Sequence, residues 1–148
     1  MNKVHLIIAD DKTGLQAGIF FIRVHEWSLN ILMRALTYNY YNNKFLKYHD
    51  QSALNNVLTE LDEFEHYVIV PQTWFNNNYN TIKKGDFLLH IMGNDKNGRI
   101  GKDKIFKTFR KRIEEEEGWY NKTNKEMREE VLQYYSLPKN EQHSISIQ

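Results

Sequence analysis

Apolar residues change their spacing twice between residues 19 and 71, and this alternation restricts the fold more than any other feature of the chain. "IFFIR" (19–23) is a run of β-branched and aromatic residues, the composition of a strand. From Glu26 the spacing becomes helical, with Leu29, Leu32, Met33, Leu36 and Tyr40 on one face. A second helix is expected from Asp50, which is placed to cap it, with Leu54, Val57, Leu58, Leu61 and Phe64 on its stripe. "YVIVP" (67–71) returns to strand composition and stops at Pro71. Strands interleaved with helices put the chain in the α/β class, a mixed sheet flanked by helices.

The flanking segments fit that class. Residues 4–9 read as a short buried strand followed by the turn "DDKTG", and "FLLHIM" (87–92) reads as a fourth strand with His90 toward its carboxyl end. Between them "WFNNNYNTIKKGD" is expected to be a polar loop, because asparagine side chains bond their own backbone. Residues 102–117 suit a helix with Ile105, Phe109 and Ile113 on one face. Residues 123–135 suit another, built on Met127, Val131 and Tyr135 and stopped by Pro138. In "RKRIEEEE" the pairs Arg110–Glu114, Lys111–Glu115 and Arg112–Glu116 stand four apart, as on a solvated helix face. Residues 1–137 are expected to form one region, and 138–148 a disordered tail. Four short strands make a thin sheet whose first strand begins almost at Met1, so the chain reads as the second part of a larger fold.

Charge and composition exclude several functions. With 20 basic and 19 acidic residues the formal net charge is +1, so no field of one sign is available to hold a nucleic acid. There is no cysteine for disulfides or thiolate metal sites. No signal peptide and no run of about 20 apolar residues is present, so the chain as written is expected to be soluble. The Gly-x-Ser-x-Gly elbow, the phosphate loop and His-Glu-x-x-His are all missing.

Three polar clusters fall at element ends: "DDKTGLQAG" (10–18), "HDQS" (49–52) and "HIMGNDK" (90–96). By residue type alone Asp10 and Asp11 are turn formers, His49 and Asp50 a helix cap, and His90 either a structural histidine or a ligand. Taken in order with their surroundings, the blocks "GLQAGIFFIRVHEWS", "HDQSAL", "VIVPQTWFN" and "KGDFLLHIMG" resemble the C-terminal half of glycosyltransferase family 34, which includes fungal galactosyltransferases and mannosyltransferases and plant xyloglucan xylosyltransferases. The resemblance covers about residues 7–95 well and the last two helices loosely.

That resemblance implies the C-terminal portion of a GT-A nucleotide-sugar transferase fold, incomplete here. It implies retaining, metal-dependent transfer of a hexose or pentose from a nucleotide sugar to a glycan acceptor. His90 matches the histidine that ligates Mn²⁺, and Lys96 lies one residue from a phosphate-binding lysine. Asp50 would hydrogen-bond sugar hydroxyls and Gln51 would sit near the anomeric carbon, the two catalytic candidates, with His49 in the same segment. Gly14, Gln16 and Gly18 would line the sugar, the glycines through close backbone approach. Arg23 and Trp27 read as structural, and Trp74 as a sugar platform or a core residue. The stretches around Gln16, Asp50 and His90 should then meet on one rim of the sheet.

Departures accompany the matches. The family has asparagine at Gln16, serine at Ile19 and cysteine at Asn94, and its Asp-x-Asp occurs nowhere in this sequence. Without those carboxylates His90 supplies one of about six metal ligands. The chain alone is therefore expected to be inactive. A complete family member would sit on the lumenal side of the Golgi membrane through an N-terminal anchor absent here. The rival reading is a non-catalytic remnant or accessory subunit that associates with related transferase subunits.

Overall fold

In the computed structural model, which describes residues 3–11, 14–91, 98–119 and 122–146, β1 (Leu6–Asp11) is the middle strand of a mixed sheet. It pairs antiparallel with β2 (Gly14–Ile22) and parallel with β3 (Tyr67–Pro71), in the order β2-β1-β3. A central strand is covered on both faces, and Leu6, Ile8 and Ala9 are accordingly buried. The sheet belongs to a compact unit made of Met1–Gln72 with Lys139–Gln148, and Thr73–Pro138 forms a second unit. The class is α/β, with a mixed sheet flanked by helices, as expected.

The ladder between β1 and β2 is interrupted. Ile8 pairs with Phe20 and Asp10 with Leu15, which leaves residues 16–19 outside regular pairing. Such a bulge breaks the two-residue alternation, so Leu15 and Gln16, adjacent in sequence, are both buried. The expected turn "DDKTG" is shorter than its sequence suggests, because Asp10 and Asp11 still belong to β1 and Gly14 already opens β2.

α1 (Glu26–Asn42) forms where expected but turns its other face inward. Leu29, Met33, Leu36 and Tyr40, expected in the core, are exposed, while Ser28, Ile31 and Tyr38 are buried with Trp27 and Ala35 packed against the core. The helix carries two apolar stripes, and partners decide between them. Tyr38 donates its hydroxyl to Glu60 Oε1 at 2.6 Å, and Trp27 Nε1 donates to Glu63 Oε2 at 2.6 Å, contacts that require this rotation. Trp27 is thus structural, as expected. α2 (Asp50–Leu61) buries the expected Leu54, Val57 and Leu58, and with them Ser52, Asn55 and Asn56. Asp50 does not cap it. His49 holds the cap position and Asp50 is the first helical residue, while Phe64 lies beyond the helix and is exposed.

In the second unit α3 (Gly98–Glu115) starts earlier than expected and α4 (Asn124–Ser136) begins at a capping box. There Thr123 Oγ1 accepts from Glu126 N–H and Glu126 Oε2 accepts from Thr123 N–H. Tyr134, not Tyr135, is the buried tyrosine of α4. The three pairs on α3 form as read, at 2.8 Å for Arg110–Glu114, 3.7 Å for Lys111–Glu115 and 3.1 Å for Arg112–Glu116. The expected strand "FLLHIM" does not form over residues 87–91. One isolated bridge joins Leu89 to Asn77, because residues 76–78 offer a single pairing partner and no continuous strand edge. Residue 92 lies outside the described residues.

Residues 139–146, expected as part of a disordered tail, form a 3₁₀ turn (Lys139–Glu141) and then return to the first unit, where Ile145 packs against the core. Among the described residues no helix is long and apolar enough to cross a membrane.

A pH response is built into the N-terminal part of the first unit. The His5 ring is buried and stacks on His25 at 4.0 Å and His66 at 5.3 Å between centroids. Burial, then the neighbouring His25, His66 and Arg23, holds its imidazole below the usual histidine value. Unfolded His5 therefore takes up a proton first. Its contribution to stability is complete above the ordinary histidine value of about 6.5 and is lost as pH falls below it. The thermal midpoint, followed by circular dichroism, should drop between about pH 7 and about pH 5, and His5→Gln should flatten that drop.

Candidate functional site

The bulge in β2 builds the first part of the site. Residues outside the ladder have backbone groups to spare, and Ala17 N–H donates to Gln51 Oε1 at 3.3 Å, joining "GLQAG" to "HDQS" directly. Beside this junction Gln16 is buried and its Nε2 donates to Asp11 Oδ2 at 2.5 Å. Burying an amide is costly unless it is bonded, so the Asp11 carboxylate fixes where Gln16 points. Gly14 has a φ of 113°, a conformation that favours glycine, whereas Gly18 has no positive φ and sits exposed in the strand.

His49 and Asp50 open onto a groove of about 420 Å³ with Ala17, Phe20, Leu46 and Leu54 among its walls. Both residues are exposed. His49 holds φ 47° and ψ −114° and makes no side-chain cap bond. A side-chain-bearing residue in that region stores about 1–3 kcal/mol, which the surrounding fold has to offset. The strain turns the chain sharply into α2, so that Asp50 and Gln51 begin the helix beside β2. Gln51 N–H donates to Tyr48 O at 3.0 Å, and Ser52 Oγ accepts from Tyr48 N–H at 3.1 Å, which fixes the same corner.

His90 belongs to the second unit. Its backbone N–H donates to Asn77 O at 2.7 Å, and its Nδ1 meets Asn76 Oδ1 at 2.6 Å. With the amide oxygen as acceptor, Nδ1 carries the proton and Nε2 keeps a lone pair, the tautomer of a metal-ligating histidine. Burial, and then the positive charge of Lys102, holds the imidazole below the usual value and so favours the neutral ring. His90 thus fits the part of one ligand. Among the described residues, however, no group of three or more His, Cys, Asp or Glu side chains could hold a metal ion.

The asparagines behind His90 are the site feature that the sequence reading missed. Asn76 and Asn77 are 0% and 1% exposed, not loop residues in water. Asn77 Nδ2 donates to Asp86 Oδ2 at 2.6 Å and to Thr73 O at 3.2 Å, and its Oδ1 accepts from Thr81 at 3.0 Å. Three asparagines in a row after an aromatic pair were the available signal, since a plain loop has no need to follow buried Phe75 with them. Trp74 packs edge-on against Tyr134 at 5.2 Å, which favours the packing role over the platform.

The first unit holds Gln16, His49, Asp50 and Gln51 and the second holds His90, so the convergence expected of the three stretches is established for those of Gln16 and Gln51 alone. Lys96 and Asn94 lie outside the described residues.

Comparison with known proteins adds the family. Searches of curated proteins and of solved structures each return no match. A family model, that of the galactosyl transferase GMA12/MNN10 family, matches residues 1–100, which include both blocks joined at the bulge and His90. With two thirds of its length matched, and with the matched blocks in contact in the folded chain, the protein belongs to the galactosyl transferase GMA12/MNN10 family.

Proposed function

We propose that this chain is the acceptor-side part of a GT-A glycosyltransferase that moves a hexose or pentose from a nucleotide sugar to a glycan with retention, on the lumenal side of the Golgi membrane. The observation that carries the reading is the Ala17–Gln51 hydrogen bond, which seats the Gln51 amide at a bulged strand. In this reading Gln51, held by one oxygen lone pair, faces the sugar with its remaining amide capacity. Asp50 bonds sugar hydroxyls from the mouth of the groove, and His49 and Gly18 line the approach. Gly14 and Gln16 shape the backbone beneath it, and Lys96 meets phosphate. Family membership supports a glycosyltransferase-related role; donor, acceptor and stereochemistry belong to the proposal.

The test is a titration of the isotopically labelled chain with a nucleotide sugar and with an oligosaccharide acceptor, followed by backbone NMR. Acceptor should shift the amides of Ala17, Asp50 and Gln51, and Gln51→Ala should weaken binding about tenfold or more, the loss of a buried-edge hydrogen bond. Shifts confined to other parts of the chain would overturn the assignment.

His90 is proposed as one ligand of Mn²⁺, with the other ligands supplied by side chains outside those described. The second reading is an accessory subunit without catalysis of its own. Calorimetric titration of the chain alone with Mn²⁺ should show no tight site under either reading. Tight binding lost in His90→Ala would overturn this account of the metal under both readings, because the chain would then hold the ion by itself.

A further inference from the structure

We infer that the outward stripe of α1 is a self-association seam, through which two copies of this chain pair with their α1 helices antiparallel. Leu29, Met33, Leu36 and Tyr40 follow one another at steps of four, three and four residues, the spacing of alternating d and a positions in a heptad. Such residues line up along one side of a helix, and here that side faces away from the core. The four are 66%, 53%, 78% and 86% exposed. The core contacts come from Ser28, Ile31 and Tyr38, which stand on the opposite face.

The outward face lacks the charges of an ordinary surface helix. Of the 17 residues of α1 only Glu26 and Arg34 are charged, and Arg34 lies to one side of the seam. A surface helix sets charged residues opposite its buried stripe, whereas a helix that is apolar on both faces is one that is covered on both. Leu36 also borders the groove of His49 and Asp50, so the seam adjoins that groove.

A second copy fits this face because the stripe is complementary to itself. With two α1 helices antiparallel about a two-fold axis between positions 34 and 35, Leu29 shares a layer with the partner's Tyr40 and Met33 with the partner's Leu36, so every layer closes on two apolar side chains. The positions flanking the seam hold Asn30, Leu32, Thr37 and Asn39, all uncharged, so the two-fold axis brings no like charges together. At about 150–250 Å² for an aromatic side chain and somewhat less for an aliphatic one, the four exposed fractions amount to roughly 550 Å² on each copy. With the flanking residues the pair buries about 1,200–1,400 Å² in total, the lower end of specific interfaces. Pairing of that size is weak, and in dilute solution the stripe stays in water.

Sedimentation velocity on the full chain should give a monomer at about 2 µM and a dimer at about 200 µM. Met33→Glu, which sets a charge in the seam at a side chain already half in water, should raise the dissociation constant at least about tenfold with the circular dichroism spectrum unchanged. The chain has no cysteine of its own, so cross-linking reads the register. An equimolar mixture of Leu29→Cys and Tyr40→Cys chains should oxidise to the mixed disulfide. Neither variant should link to itself, because the two copies of position 29 stand about 16 Å apart along antiparallel helices. A wild type still monomeric at about 200 µM, a Met33→Glu chain that pairs as well as wild type, or Leu29→Cys linking to itself in preference to Tyr40→Cys each overturns the proposal. None of these outcomes touches saccharide binding at Gln51. Should Met33→Glu lose helix signal, the cross-linking decides.

Discussion

Ile31→Ala should destabilise the first unit by about 2–4 kcal/mol, while Leu36→Ala should change stability by no more than about 0.5 kcal/mol. The two residues lie on one helix and have the same number of carbon atoms in their side chains. They differ in where α1 puts them. Ile31 is 0% exposed within the core that includes Leu15, Leu54 and Leu58, and truncation there removes apolar contact and leaves a cavity that its neighbours fill only in part. Leu36 is 78% exposed, so its truncation returns little surface to water. Urea denaturation followed by the fluorescence of Trp27, with Trp74 and Trp119 replaced by Phe, measures both. Equal losses, or a larger loss at Leu36, would mean that α1 packs with the stripe its sequence advertises.

In the second unit Asn77→Ala should cost about 2–4 kcal/mol, a large effect for a residue read from sequence as loop. Its side chain ties together three points of the chain, Thr73 O, Thr81 Oγ1 and Asp86 Oδ2. Asp86 also accepts from Lys83 N–H at 2.8 Å, so removing the amide leaves a partly buried carboxylate with one donor fewer. Because Asn77 O also accepts from His90 N–H, the variant should loosen His90. Exchange at the His90 amide reports this directly. Asn77→Asp, which keeps the shape but sets a carboxylate against Asp86, should be as damaging or worse. A variant as stable as wild type would remove the asparagine network from the account of how His90 is held.

Both predictions mark where sequence reasoning succeeded and where it stopped. The period of the apolar residues located α1 and α2, and the β-branched runs located β1, β2 and β3, because local spacing and backbone preference act over a few residues. The capping box of Thr123 and Glu126 is equally local, and it is legible in "TNKE". The strand expected at 87–92 failed for a reason of another kind. Apolar composition makes a segment fit for a sheet, but a strand exists only where a neighbour offers a continuous edge, and Leu89 has a single bridge to Asn77.

The candidate site divides in the same way. Residue identities at Gln16, Asp50, Gln51 and His90 were open to reading, and so was the family they resemble. The bulge at 16–19 was not, since Gly18 within it takes no positive φ and the irregularity follows from how β1 and β2 come into register. The Asn76 contact to His90 spans fourteen residues and the His143 contact to Asp10 spans 133. Contacts of that range are chosen by the packed structure.

By itself, then, the sequence determined the class, the order of helices and strands and the chemical inventory of the site, because each of these is set by neighbours along the chain. Only the tertiary structure decided which face of α1 is buried, that a bulge presents Ala17 to Gln51, and that a buried asparagine holds His90. Those outcomes depend on which donors and acceptors remain unpaired once the core has closed, and that is a property of the assembled fold.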